Sequence, residues 1–148
     1  MRRILITLLL CCSPALFAAE TAPGQLVKVL PFFLDTQGRI AKSPSLFDRD
    51  AYQAYLRTHT NEISGLRYDV QCNADEKLKL RLELRGVGAD SKPKIKILEA
   101  AVATGSLNNW TEIKLTGDDY KNFGAVLAWR ATLWSSDKQL SEQKSFLW

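Results

Sequence analysis

Side chains of the kinds that catalyse reactions are thinly spread along these 148 residues. His59 is the only histidine, so a histidine relay or a histidine-based metal site has no second member. Cys72 shares its parity with Leu66, Tyr68 and Val70 in an alternating segment. That parity turns the thiol inward, away from the electropositive, open setting a reactive cysteine needs, and makes it a small buried hydrophobe. The densest group of charges runs from Asp35 to Asp50 and holds Asp35, Arg39, Lys42, Asp48, Arg49 and Asp50. Paired carboxylates can do acid–base work or bind Ca2+. Asp48 and Asp50, however, fall in a helical segment, where residues two apart do not converge, and no loop has Ca2+-loop spacing. The segment reads first as a helix cap with surface ion pairs, and Asp35, Arg39, Asp48, Arg49 and Asp50 stay as a candidate binding surface. No catalytic residue, metal ligand or cofactor is assigned.

Two other groups have chemistry to offer. Residues 76–96 carry Lys77, Lys79, Arg81, Arg85, Lys92, Lys94 and Lys96 against Glu76, Glu83 and Asp90. Shown on one solvent face of two adjacent strands, Lys79, Arg81, Lys94 and Lys96 could meet lipid headgroups, anionic glycans or an acidic partner. The same charges also serve as the polar side every alternating strand needs, and lysine-rich edges deter aggregation. Of the four tryptophans, Trp110 and Trp134 lie beside turns and could offer sugars an exposed aromatic surface, while Trp129 and Trp148 fall on an expected core face.

The elements that must position these groups are mostly strands. Leu78, Leu80, Leu82 and Leu84 alternate with Lys79, Arg81, Glu83 and Arg85, the clearest period-two pattern in the chain. Leu66 to Cys72, Lys94 to Ile97, Glu112 to Leu115, Val126 to Trp134 and Leu140 to Trp148 read as further strands. A first strand runs from Leu26 towards Leu34, and Pro31, which cannot donate to a ladder, puts it at an edge or a bend. One helix is expected at about 45–58, with Ser45 as N-cap and Phe47, Ala51, Ala54 and Tyr55 as its docking face. Turn residues separate the strands at 73–75, 86–93, 105–109, 117–119 and 135–137. About seven short strands in this pattern give a mainly β fold, an antiparallel two-sheet sandwich of immunoglobulin or fibronectin type III kind. Asp119-Tyr120 before a long apolar strand resembles the corner preceding strand F of such domains. In the last hairpin, a loop at 135–138 sets Leu133 opposite Leu140, Trp129 opposite Lys144 and Leu127 opposite Phe146, which sends Phe146 and Trp148 into the core.

The first 18 residues are a basic start (Arg2, Arg3), a short apolar run and a small-residue exit, the three parts of a secretory signal peptide. The apolar run is shorter than the roughly 20 residues a bilayer span requires, and Leu10 before Cys11 argues against a lipoprotein signal. Residues 19–148 then form one domain with 18 Lys+Arg against 16 Asp+Glu, a net charge of +2 that does not point to nucleic acid. That portion holds no second apolar stretch of transmembrane length, and its single cysteine cannot form an intrachain disulfide.

The function expected from these features is an exported (periplasmic or secreted), non-enzymatic binding or accessory module whose partner is another envelope or extracellular protein. An anionic surface or glycan is the other ligand considered. The alternative is a glycan-binding or hydrolytic protein using the 35–50 segment with Trp110 and Trp134. A small outer-membrane β-barrel, suggested by the aromatic terminus, is a minor alternative. A concave pocket with converging titratable groups separates an enzyme from a module that shows an apolar patch or an open strand edge. Export makes one direct prediction: Edman sequencing of protein recovered outside the cytoplasm should return an N-terminus near Ala19, and recovery of Met1 would refute cleavage.

Overall fold

The structure is a computed structural model that describes residues 22–88 and 90–148, the side chains of 106–108 excepted; the leader expected at 1–18 lies outside them. Alternation builds the sheets. In order come β1 (Gly24–Asp35), α1 (Leu46–Thr58), β2 (Ile63–Ala74), β3 (Leu78–Val87), β4 (Pro93–Val102), β5 (Gly105–Thr116), α2 (Gly117–Phe123), β6 (Ala125–Ser135) and β7 (Lys138–Lys144). They form a three-stranded sheet, β1-β2-β5, and a four-stranded sheet, β4-β3-β6-β7, with every pairing antiparallel. The two-sheet antiparallel architecture is the expected one. Leu80, Leu82 and Leu84 of β3 are fully buried and share a core with Tyr68, Val70 and Cys72 of β2, Ile113 and Leu115 of β5, and Ala131 and Leu133 of β6. Cys72 is buried and unpaired, and burial pushes its thiol up to about 11. Pro31 sits in β1, an edge strand, where its missing N–H breaks no ladder.

Helix α1 begins where the sequence places it, with the Ser45 hydroxyl accepting from the Asp48 N–H at 3.4 Å. Its docking face is different. Phe47, Ala51, Ala54 and Tyr55 are exposed, and the buried residues are Tyr52, Gln53 and Leu56. The reason is a polar clamp that hydropathy cannot show. The Gln53 side chain accepts from the Phe33 N–H (2.8 Å) and donates to the carbonyls of Phe33 and Ile40 (both 2.9 Å), tying the helix to the backbone of β1. Phe32 and Leu34 are thereby buried outside the main core cluster.

Three further expectations are corrected. Residues 105–109 continue β5 instead of turning, and 117–119 open α2. Tyr120 lies within that helix, and its hydroxyl makes no hydrogen bond among the described residues, so the corner expected there is not formed.

The last hairpin carries the largest difference. Ser135 pairs with Lys138 and Trp134 with Gln139, in line with the expected register, but Leu140 is a bulge. Every pair beyond it moves by one: Leu133 meets Ser141, Ala131 meets Gln143, and Arg130 meets Lys144. One residue flips a strand's faces. Ser141 and Gln143 therefore reach back to the backbone of Leu26, the hydroxyl accepting from its N–H and the amide donating to its carbonyl, each at 3.2 Å. Beyond Lys144 the strand ends. Phe146 is fully exposed, and Trp148 lies against the guanidiniums of Arg85 and Arg130, 3.8 and 4.8 Å from its ring centre. Neither aromatic enters the core. Deleting Phe146-Leu147-Trp148 thus removes two surface cation–π contacts, about 1–2 kcal/mol together, and not the roughly 3–5 kcal/mol of a lost core aromatic. Thermal unfolding followed by circular dichroism should show a fall of about 3–6 °C; a fall beyond about 10 °C would put these residues back in the core.

Candidate functional site: an apolar cleft at one end of the sandwich

The two sheets do not fill the space between them at one end. Strand β6 starts there, and its approach to β3 is set by glycine. Gly124 has φ +85°, and a Cβ on it would stand 2.4 Å from the Val87 carbonyl oxygen, so only glycine fits. A bulge between Arg85 and Gly86 then leaves Leu127 unpaired and turned outward, 54% exposed. The result is a cleft of about 630 Å3. Pro31 and Phe33 of β1 form one wall, Ile63, Leu66 and Tyr68 of β2 the next, and Val126, Leu127 and Trp129 of β6 the third. Thr60, Tyr120, Lys121, Ala125 and Ser145 complete the lining. That volume falls within the roughly 300–1,000 Å3 of small-molecule sites, whose walls are mostly apolar with a few placed polar groups.

The polar groups here are hydroxyls, an indole N–H and a lysine ammonium. Tyr68 is 2% exposed and packs edge-on to Trp129, with ring centres 6.3 Å apart. Its hydroxyl has no hydrogen-bond partner among the described residues, yet it is not sealed from solvent, so it reaches the open space of the cleft. Burial raises Tyr68 far above the ordinary phenol range and also raises Tyr120, so both hydroxyls stay protonated at neutral pH. The Trp129 indole N–H is likewise without a partner among the described residues. Lys121 is exposed where it lines the cleft. Among the described residues, the lining contains no carboxylate, imidazole or thiol.

The residues singled out from sequence lie elsewhere and apart. Asp35 is buried and accepts from the backbone N–H groups of Gln37 and Arg39, from the Arg39 guanidinium and from the Tyr52 hydroxyl, all at 2.9 Å. It closes the turn after β1 under α1. Asp48 accepts from the Ser43 hydroxyl at 2.5 Å, and Asp50 pairs with its neighbour Arg49, so the two carboxylates do not meet. Arg49 and Trp110 come together beside Arg67, Asp69 and Glu112 in a shallow groove on the outer face of the three-stranded sheet. Trp134 is on the outer face of the other sheet, beside Lys79 and Arg81, so the two tryptophans cannot serve one sugar. His59 stacks on Tyr55 at the end of α1, with ring centres 3.8 Å apart.

The basic face is split. Lys79 and Arg81 point outward and share Glu99, whereas Lys94 and Lys96 occupy the inward parity of β4 with Leu98, Ala100 and Val102. There Lys94 donates to the Asn122 carbonyl (2.5 Å) and Lys96 pairs with Asp119 (2.9 Å), both against α2. The apolar end of β4 decides which side faces the core, and the lysines follow. Among the described residues no group of histidine, cysteine, aspartate and glutamate could hold a metal ion.

This chain matches no protein-family model, no curated protein and no solved structure. The cleft residues were unmarked in the sequence because each reads as ordinary core mass. The one trace is Val126-Leu127, apolar residues at the start of a strand in which adjacent positions point to opposite faces.

Asp35 yields a prediction of its own. Burial works to raise its carboxyl, but the hydrogen bonds from Arg39, Tyr52 and Gln37 outweigh burial and hold it at about 2. The unfolded chain titrates near 3.9, so it takes up the proton first as pH falls. The stabilisation, about 2 kcal/mol, is complete above pH 4 and drains away as the pH drops towards 2. Asp35→Asn should lower stability at pH 7 by a similar amount and flatten the loss between pH 4 and 2, measured by urea unfolding across that range.

Proposed function

We propose that this chain is an exported, non-enzymatic binding module whose ligand seats in the end cleft. The observation that carries this reading is the make-up of the cleft. Its walls are aliphatic and aromatic, which hold a ligand by burial at roughly 25 cal/mol per Å2. Its polar groups are hydroxyls, an indole N–H and a lysine ammonium that can orient a ligand, not a paired acid and base. The residues that could have supplied acid–base chemistry, Asp35 above all, are used to fix α1 and the turn after β1. The leader-like residues 1–18 support export to the periplasm or medium.

A second reading, a protein partner, has its own support. Strand β4 is an edge of its sheet, and it shows Ile95 and Ile97 to solvent, 64% and 49% exposed. An apolar edge strand is a template for strand addition by another chain. An anionic surface or glycan finds less support, since Lys79 and Arg81 are partnered by Glu99 and stand apart from Lys94 and Lys96.

Fluorescence titration with the neutral apolar probe N-phenylnaphthylamine tests the cleft. Binding should saturate at one probe per chain, and Ala125→Trp, which fills an exposed part of the lining without touching the core, should weaken it at least about tenfold, roughly 1.4 kcal/mol. Probe affinity unchanged in Ala125→Trp, or lost instead in Ile97→Lys, would move the site to the β4 edge.

A further inference from the structure

We propose that the cleft takes a single-chain amphiphile with an anionic head group, its alkyl chain between the sheets and its head at Lys121. The inference rests on the cleft being the binding site and adds the class of ligand. Two independent observations carry it. The first is Tyr68, a side chain that is 98% buried, lines the cleft and has a hydroxyl with no partner among the described residues. That hydroxyl touches the open space of the cleft, so a ligand oxygen there can pair with it in place of water. The Trp129 indole N–H, also without a partner among the described residues, can only donate. A ligand whose chain fits between Phe33, Leu66 and Trp129 and whose head carries oxygen acceptors suits this lining.

The second observation fixes the sign of the head. Lys121 is the one cation in the lining, no carboxylate shares the lining, and no ion pair holds it among the described residues. Neither acidic residue of its own helix forms an ion pair with it: Asp119 is engaged with Lys96 at 2.9 Å, and Asp118 makes no ion pair among the described residues. A carboxylate or a phosphate monoester at this mouth gains a charge-assisted contact with Lys121, whereas a cationic head meets repulsion. A free amphiphile fits better than a bilayer surface. The cleft takes up one chain, and the four-stranded sheet's basic groups, which would support a flat membrane contact, are split between two faces.

Displacement of N-phenylnaphthylamine by monomeric dodecanoate, dodecanol and dodecyltrimethylammonium, matched in chain length, is the test. Dodecanoate should bind about three- to tenfold more tightly than dodecanol, and the ammonium compound should be weakest. Lys121→Glu should collapse the preference for dodecanoate over dodecanol to about one or reverse it, while Lys138→Glu, at the β6–β7 turn, should leave that preference intact. Tyr68→Phe should weaken the oxygen-headed ligands several-fold without a matching change for the probe. Equal affinity for the acid and the alcohol, or a preference that survives Lys121→Glu, overturns the inference and leaves the cleft as an apolar binding site. Binding to dioleoylphosphatidylglycerol vesicles without displacement by dodecanoate overturns it too. Failure of the probe itself to bind removes the underlying cleft reading, and so the two failures are distinct.

Discussion

Leu78, Leu80, Leu82 and Leu84 project from β3 into the space between the sheets and share one buried cluster with Tyr68, Val70 and Cys72 from β2. Fully burying one such side chain contributes about 1.5–3 kcal/mol, and these leucines stand in an unbroken row. The domain has no disulfide among its described residues to add to them. Strand β3 is flanked by β4 and β6, so the direction of its leucines also decides which way its neighbours face. Once Leu82 points inward, Ala131 opposite it and Leu98 on the other side point inward as well. The fate of the lysines on β4 follows from this. Their strand must present Leu98, Ala100 and Val102 to the core, which drags Lys94 and Lys96 to the same side, and α2 supplies the partners that make the arrangement tolerable.

The row of leucines ends at Leu84, and the cleft begins where it ends. Position 86 is glycine, with no side chain to continue the row, and the bulge there turns Leu127 away. Tyr68 and Trp129 are left lining an opening instead of being sealed by a further layer. An open apolar space of this size marks the end of the sandwich where the two sheets stop packing against each other. Its lining also carries the Tyr68 hydroxyl and the Trp129 indole N–H, open to solvent and unpartnered among the described residues. The coincidence of the two in one place is why the functional reading centres on the cleft and not on the charged surfaces.

The helix is held differently from the core. Gln53 and Asp35, both polar and both buried, satisfy backbone groups at the end of β1. Such groups would be costly if left unmade, and meeting them with side chains fixes the angle at which α1 leaves the sheet. The same logic operates at the other end of β1, where Ser141 and Gln143 of β7 take up the N–H and carbonyl of Leu26. Strand β1 is an edge, and its open ladder positions are closed by side chains from outside its own sheet.

Period-two alternation settled a good deal without any coordinates. It gave the two-sheet architecture, the inward leucines of β3 and the burial of Cys72, while the missing N–H of Pro31 placed its strand at an edge or a bend and the capping chemistry of Ser45 set the start of α1. These are local or pairwise properties, and a residue's neighbours in the chain carry them. Alternation states which residues share a face but not which face meets the core, so Ile95 and Ile97 came out exposed and Lys94 and Lys96 turned inward. A single bulge at Leu140 was enough to undo the register of the last strand, because nothing in the residues themselves announces an extra position. The cleft lay furthest from the sequence. Phe33, Leu66, Tyr68, Val126 and Trp129 come from three strands, each looks like a core residue, and what makes them a site is the absence of anything packed against them. That absence is a property of how the strands end and turn in space, and only the tertiary structure could decide it.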